Sequence, residues 1–344
     1  MNVFQKYLVE EFAEDYEEGR LSRREALKMI ASVSGSLLIA NSILAGCTPP
    51  EASPSAVLPA SPTQPASTPS ATTEPAQTPT TEATAAPTQT QPAEDTAQPT
   101  QAPGGSPHGT VSPDDSTVSA GDVQFDVEGA SLLGYQAQPN QDGSFPIVLV
   151  CHENRGLTDH IKDVTRRLAK AGYAALAVDL LSRQGGSGTL DSSQVPGALG
   201  NIDPEQFAQD FRSGLSYLQA QPFAQADRVG MVGFCFGGGV TWLAATKIPE
   251  LKAAVPFYGP HPPLEDVKDI RAAVLAIYGE RDQRINQGIP QIEAAMQQSN
   301  KIFEKIIYPE ADHAFFNDTG TRYNPQAARD AWQRLLGWFE KYVA

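Results

Sequence analysis

The stretch Val229 to Thr241, VGMVGFCFGGGVT, limits the possible folds more than any other part of the chain. An apolar run (Val229, Met231, Val232) feeds a Gly-Phe-Cys-Phe-Gly turn, and a glycine-opened helical pattern follows, Gly238 to Ala245. Strand, sharp turn and helix in that order are the layout of a nucleophile elbow, with cysteine where the G-x-S-x-G form has serine. A side chain pushed out at the top of so tight a turn leaves no room for Cβ atoms two positions to either side. Gly233 and Gly237 stand where that crowding requires them, and Cys235 is the residue presented. The pentapeptide alone also fits a glycine-rich junction around an ordinary buried cysteine.

The elbow belongs to a series of alternating elements. Val123 to Val127 alternates like a strand, and Ser131 to Gln138 can pair with it as a hairpin across Glu128-Gly129. Pro146 to Cys151 is a continuous apolar run, the mark of a strand buried on both faces. Asp159 to Ala171 has helical spacing, Tyr173 to Leu181 reads as a second buried strand, and Pro204 to Gln219 as a second helix. Beyond the elbow come short strands at Ala253 to Tyr258, Ala273 to Tyr278 and Phe303 to Tyr308, with helices at Ile289 to Ser299 and Pro325 to Tyr342. The expectation is an α/β fold: a mostly parallel sheet with helices on both faces and an N-terminal strand hairpin. Chemistry in such folds sits beyond the carboxyl ends of the strands, where Cys235, Glu153, Asp282 and His313 all fall.

The chain upstream is of a different kind. Lys28 is followed by no lysine or arginine until Arg155. Ser22-Arg23-Arg24 is a twin-arginine pattern, and Met29 to Leu44 is a moderately apolar run, too short and too polar for a membrane span. A charged region, a modest apolar region and then small residues form the layout of an export signal. It ends Leu44-Ala45-Gly46-Cys47, which resembles a bacterial lipobox and implies lipid on Cys47. Residues 1–47 are therefore read as a leader outside the fold, with an amphipathic helix over Met1 to Gly19 running into a single-pass anchor as the rival reading. Residues 48–117, rich in Pro, Thr and Ser and carrying about half of the 28 prolines, read as a disordered tether. The folded domain is expected over 118–344, long enough to bury its own core. The leader and tether place that domain outside the cytoplasm, held at a membrane by lipid alone.

A thiol nucleophile needs a base, and the base needs a group to orient it. Of the five histidines, only His313 follows the last strand, in Pro309-Glu310-Ala311-Asp312-His313-Ala314-Phe315. The order nucleophile, acid, histidine asks for an acid after the preceding strand. Tyr278-Gly279-Glu280-Arg281-Asp282 supplies Asp282, with Glu280 and Asp312 as rivals.

With these residues in view, 118–344 resembles the dienelactone hydrolase family, a cysteine branch of the α/β-hydrolase fold. The resemblance rests on His152-Glu153-Asn154-Arg155-Gly156 after the first buried strand, the Gly-Phe-Cys-Phe-Gly elbow, Gly279-x-x-Asp282 and Asp312-His313-Ala314-Phe315. It implies a catalytic triad of Cys235, His313 and Asp282, and an oxyanion hole from the backbone N–H groups of Asn154 and Phe236. It also implies that Glu153 contacts the resting thiol, and that Arg183 is one of two arginines gripping a substrate carboxylate. The second arginine would follow the histidine, where this chain has Phe316 and Asn317, unless Arg322 reaches in.

The net charge of −15 and the lack of a basic patch argue against nucleic acid as a partner. No phosphate-binding glycine loop stands out, and His152 and His160 lack the carboxylate or cysteine company that zinc takes, so neither cofactor nor metal is expected. Cys151 and Cys235 lie on strands expected to be neighbours, yet no Cys-x-x-Cys supports redox use. The reading is an exported, monomeric hydrolase domain acting on a small ester or lactone through an acyl-enzyme. A surface lipoprotein that binds a small ligand with an inactive domain is the alternative.

Overall fold

The computed structural model describes residues 1–47, 109–127 and 129–344. Its centre is one eight-stranded sheet: β1 (Val118–Val127), β2 (Ala130–Pro139), β3 (Phe145–Cys151), β4 (Ala174–Val178), β5 (Ala224–Phe234), β6 (Ala253–Phe257), β7 (Ala273–Gly279) and β8 (Phe303–Tyr308). The spatial order is β1-β2-β4-β3-β5-β6-β7-β8. β1 pairs antiparallel with β2 and β2 antiparallel with β4, and every later pairing is parallel. This is an α/β-hydrolase-like fold with a mixed, mostly parallel sheet and an N-terminal hairpin. The hairpin's expected turn residue Glu128 lies outside the described residues.

The apolar runs became the middle of the sheet because only continuous apolar residues tolerate helices on both sides. β4, β6 and β7 are buried at every position, and β3 at all but Pro146. Side chains alternate along β5, so Gly230 and Gly233 face opposite ways. Gly230 lies under Phe339 of the closing helix Pro325–Tyr342, and Gly233 under the helix Phe236–Lys247 that follows the elbow. The second strand read from the sequence is shorter than expected. It ends at Val178, where the Asp179 carboxylate turns the chain by accepting from the Ser187 backbone N–H and hydroxyl.

Two boundaries differ from the sequence reading. Residues 1–47 are not outside the fold: they form α1 (Val3–Glu17), α2 (Arg23–Ser34) and α3 (Leu37–Gly46). Phe4, Tyr7, Leu8, Phe12, Ile30 and Val33 join the core of the domain. Phe4 packs with ring centroids 5.3 Å from Phe207 and 5.0 Å from Phe236. The spacing Phe4, Tyr7, Leu8, Glu11, Phe12 is a helical stripe; it matches the helix of the rival reading, whereas among the described residues no helix is long and apolar enough for the single-pass anchor that reading joined to it. The second difference is where the domain begins. Val111, placed in the tether, is buried, donates its N–H to Asp163 at 2.8 Å and accepts from Arg166 at 2.6 Å. The tether over 48–108 lies outside the described residues.

Candidate active site

Cys235 stands between β5 and the helix Phe236–Lys247, which is α7 in chain order after α4 (Asp159–Lys170), α5 (Val195–Gly200) and α6 (Pro204–Gln219). Its backbone has φ 59° and ψ −120°, a left-handed conformation that costs a non-glycine residue on the order of 1–3 kcal/mol and persists only where surroundings impose it. The surroundings are backbone. A Cβ on Gly233 would sit 2.2 Å from the Gly237 carbonyl oxygen, and one on Gly237 would sit 2.4 Å from that of His152. The crowding expected from the pentapeptide is there on both sides of the thiol.

The elements beyond β7 and β8 supply the partners. Asp282 caps the short helix α8 (Gln283–Asn286), accepting from the Ile285 N–H at 3.3 Å with one oxygen. Its other oxygen meets His313 Nδ1 at 2.6 Å. The rival acids are engaged elsewhere: Glu280 accepts from the Glu310 N–H and Asp312 faces Arg281. The loop carrying His313 is fixed from behind. Asp318 pairs with His160 at 3.0 Å and with Arg167 at 2.6 Å, and Asn317 donates to Glu153 at 2.7 Å. Cys235, Asp282 and His313 are all buried, between 2% and 4% exposed.

They are buried because α1 covers them. The Tyr7 hydroxyl lies 3.2 Å from Cys235 Sγ and 3.3 Å from His313 Nε2. Glu11 Oε1 lies 3.6 Å from the same sulfur and 3.8 Å from the same nitrogen. Glu11 is the carboxylate in contact with the resting thiol, while Glu153, which the family resemblance had implied there, accepts from Asn317 and lies close enough for its charge to be felt by the sulfur. Arg183 is held by Asp210 at 2.9 Å, over α6. Arg322 does come near the thiol, close enough for its charge to be felt by Cys235 and Glu11, as does Arg284 to Tyr7 and Glu11. Neither Tyr7, Glu11 nor Arg284 was found from the sequence. The stripe on α1 was the available signal, and a segment set aside as leader hid it.

The electrostatics follow from this packing. Burial raises the Cys235 thiol pKa and the Glu11 carboxylate raises it further, against the pull of His313. Burial opposes the charged form of His313, but the Asp282 carboxylate and then the Cys235 sulfur outweigh it and bring the imidazole to about 10. At neutral pH His313 is therefore protonated on both nitrogens and Cys235 is a neutral thiol. The Tyr7 hydroxyl is within hydrogen-bond reach of both the sulfur and Nε2, and the sulfur also reaches Glu11 and His313.

The oxyanion donors implied by the resemblance sit at strand ends as well. Asn154 follows Glu153 beyond β3, and Phe236 opens α7, where an N–H has no acceptor inside its own helix. Cys151 and Cys235 are free thiols. One grouping could hold a divalent ion that the sequence did not suggest: Glu11, Cys235 and His313 present donor atoms within 4.8 Å of one another.

Residues 132–343 match the sequence profile of the Dienelactone hydrolase family. A protein of Methylorubrum extorquens with the provisional name carboxymethylenebutenolidase is 36% identical over 246 residues, covering 68% of this chain and 84% of the relative. One from Escherichia coli K12, under the same provisional name, is 35% identical over 260 residues, covering 70% and 94%. A crystal structure of a provisionally named dienelactone hydrolase from Klebsiella pneumoniae superposes with a TM-score of 0.62 at 35% identity, covering 65% of this chain and 99% of that one.

Proposed function

This chain belongs to the dienelactone hydrolase family and is a hydrolase of that type, and from that premise we propose that it opens small esters or lactones through Cys235, His313 and Asp282. The observation that carries the reading is the line of contacts from Asp282 through His313 to the thiol side of the elbow, with His313 Nδ1 on the carboxylate at 2.6 Å. A carboxylate behind the imidazole fixes its tautomer and stabilises the imidazolium.

In the first step the thiolate, paired with protonated His313, attacks the carbonyl carbon. The carbonyl π pair moves to oxygen, and the resemblance assigns the N–H groups of Asn154 and Phe236 to receive it; such donors are worth about 3 kcal/mol each. Collapse expels the alkoxide, which takes the Nε2 proton, and leaves a thioester on Cys235. Neutral His313 then removes a proton from water, the resulting hydroxide attacks the thioester carbonyl, and the thiolate departs to leave the carboxylic acid. For a lactone, acid and alcohol are one molecule. The relatives' names point to the same chemistry, since a carboxymethylenebutenolide is a lactone. The test is turnover of p-nitrophenyl acetate and of a simple lactone by the full chain beside Cys235→Ala and His313→Ala. Loss of about 10³-fold or more in both variants is expected; activity that survives Cys235→Ala overturns the assignment.

We also propose that residues 1–47 act as a twin-arginine leader and that Cys47 is its lipid-accepting residue. Arg23 and Arg24 are exposed at the start of α2, where a receptor can read them. Leu37, Leu38 and Ile39 on α3 are exposed apolar side chains of the kind a membrane surface takes. Among the described residues no helix is long and apolar enough to cross a membrane. Cell fractionation tests this: the protein should travel with membranes, and Cys47→Ser should move it to the soluble fraction.

A further inference from the structure

The hydrolase chemistry uses Cys235, His313 and Asp282 and has no use for Glu11, the buried carboxylate that α1 brings to them. Glu11 Oε1 lies 3.6 Å from Cys235 Sγ and 3.8 Å from His313 Nε2, and the donor atoms of the three residues all fall within 4.8 Å of one another. Thiolate, imidazole and carboxylate are the ligand types of zinc, at about 2.3, 2.0 and 2.1 Å. Tetrahedral angles at those lengths place sulfur and oxygen about 3.6 Å apart, and nitrogen and oxygen about 3.4 Å apart. The Glu11 oxygen therefore stands near ligand spacing from both partners, and small side-chain shifts complete the set.

The surroundings suit a cation. Glu11, Cys235 and His313 are only 3–4% exposed, so an ion there is shielded from water. Asp282 holds Nδ1 of His313 at 2.6 Å and leaves Nε2 turned to Glu11; a carboxylate behind the imidazole is the usual support of a metal-bound histidine. The Tyr7 hydroxyl, 3.2 Å from the sulfur and 3.3 Å from Nε2, offers a fourth oxygen. The charges close as well. A thiolate and Glu11 neutralise a divalent ion, while the nearby guanidinium groups have their own counter-ions, Arg284 in Glu14 at 3.0 Å and Arg322 in Asp15 at 3.4 Å. Sulfur and nitrogen donors disfavour magnesium and calcium, which take oxygen ligands.

We propose that Glu11, Cys235 and His313 form a zinc site that exists only while α1 is docked, and that the bound ion latches α1 over the catalytic cleft. Glu11 comes from α1, Cys235 from the turn after β5 and His313 from the loop after β8, so the set is incomplete without the helix. Three such distant segments leave no metal-binding motif in the sequence. Coordination sends the thiol proton and the Nε2 proton to solvent, and the ion takes the sulfur and nitrogen lone pairs that acyl transfer needs. The zinc-loaded chain is therefore silent toward esters, and removing the ion frees Cys235 and His313. That silencing rests on the two being the catalytic pair; the binding of zinc does not.

The test uses the full chain freed of metal by a chelator, beside Glu11→Gln, Cys235→Ser and His313→Gln. Zinc affinity is measured by competition with a chromophoric chelator, and cobalt(II) serves as a coloured probe of the ligands. The parent is expected to bind one zinc ion and each variant to bind it at least tenfold more weakly. Cobalt should give the parent a thiolate-to-metal absorption that Cys235→Ser lacks. Zinc should slow both iodoacetamide alkylation of the peptide carrying Cys235 and amide hydrogen exchange across Val3–Glu17 at least tenfold, since an ion that binds only the docked state stabilises it. If Glu11→Gln fails to fold by circular dichroism, Glu11→Asp, which keeps the charge and shortens the reach, takes its place. Equal affinity in Cys235→Ser overturns the site. Affinity undiminished by the Glu11 substitution, or α1 exchange unchanged by zinc, overturns the latch. A parent that binds no zinc but hydrolyses p-nitrophenyl acetate overturns the proposal and leaves the hydrolase standing. Zinc bound with the thiolate signature, in a chain that hydrolyses no ester once the ion is removed, overturns the hydrolase reading and leaves the site.

Discussion

Asp282 and His313 show most plainly what single residues contribute. With its carboxylate replaced by an amide, Asp282→Asn can still touch Nδ1 but can no longer hold the reactive tautomer, and kcat should fall by about 10³-fold or more while KM changes little. Steady-state kinetics on p-nitrophenyl acetate check this. His313 also ties stability to pH. Its ordinary value is 6.5 and its folded value is about 10, so the folded state binds the proton more tightly than the unfolded chain. That contribution is complete below about 6.5 and is lost as the pH rises to about 10. Urea unfolding should therefore show stability declining across that window, and His313→Gln should flatten the decline. Cys235, Asp282 and His313 were legible in the sequence because each stands at a strand end in a fixed order. Asp282 was preferred over Glu280 and Asp312 on strand order alone, and it is the fold that brings its carboxylate to the imidazole. Arg183 was legible as a charge but not as a partner of Asp210, which sits midway along the 16-residue helix α6.

At the scale of elements, the elbow is held by what it lacks. Gly233→Ala would place a Cβ 2.2 Å from the Gly237 carbonyl and 2.4 Å from Thr241 Oγ1, contacts that rigid backbone cannot relieve. It should cost about 3 kcal/mol or more, or prevent folding, as read by thermal denaturation of whatever soluble protein is recovered. Helix α1 obeys the ordinary rules of a core helix. Leu8 is fully buried, and Leu8→Ala should cost about 3 kcal/mol if the helix stays docked. A negligible change in melting temperature would mean that α1 contributes no stability where it lies. The strands were readable because continuous apolar runs have few uses other than a doubly covered sheet. Helix α1 was harder, because its stripe of Phe4, Tyr7, Leu8 and Phe12 is the same pattern whether the helix packs on its own domain or elsewhere. Nothing in a leader-like segment says that its buried face ends on a thiol.

For the whole molecule, one chain holds the proposed hydrolytic residues Cys235, His313 and Asp282 and the helix that covers them. The two facts fit together if covering is temporary. A twin-arginine leader would carry a domain that folds before it crosses the membrane, and cleavage ahead of Cys47 would remove α1, α2 and α3 in one piece. The central claim, that Cys235 carries the acyl group, is tested most directly by mass spectrometry of the full chain mixed with p-nitrophenyl acetate and quenched in acid. The account predicts an acetyl group on the peptide containing Cys235, one that decays as acetate is released and is absent in Cys235→Ala. An acetyl group on another residue, or hydrolysis undiminished in Cys235→Ala, would contradict it.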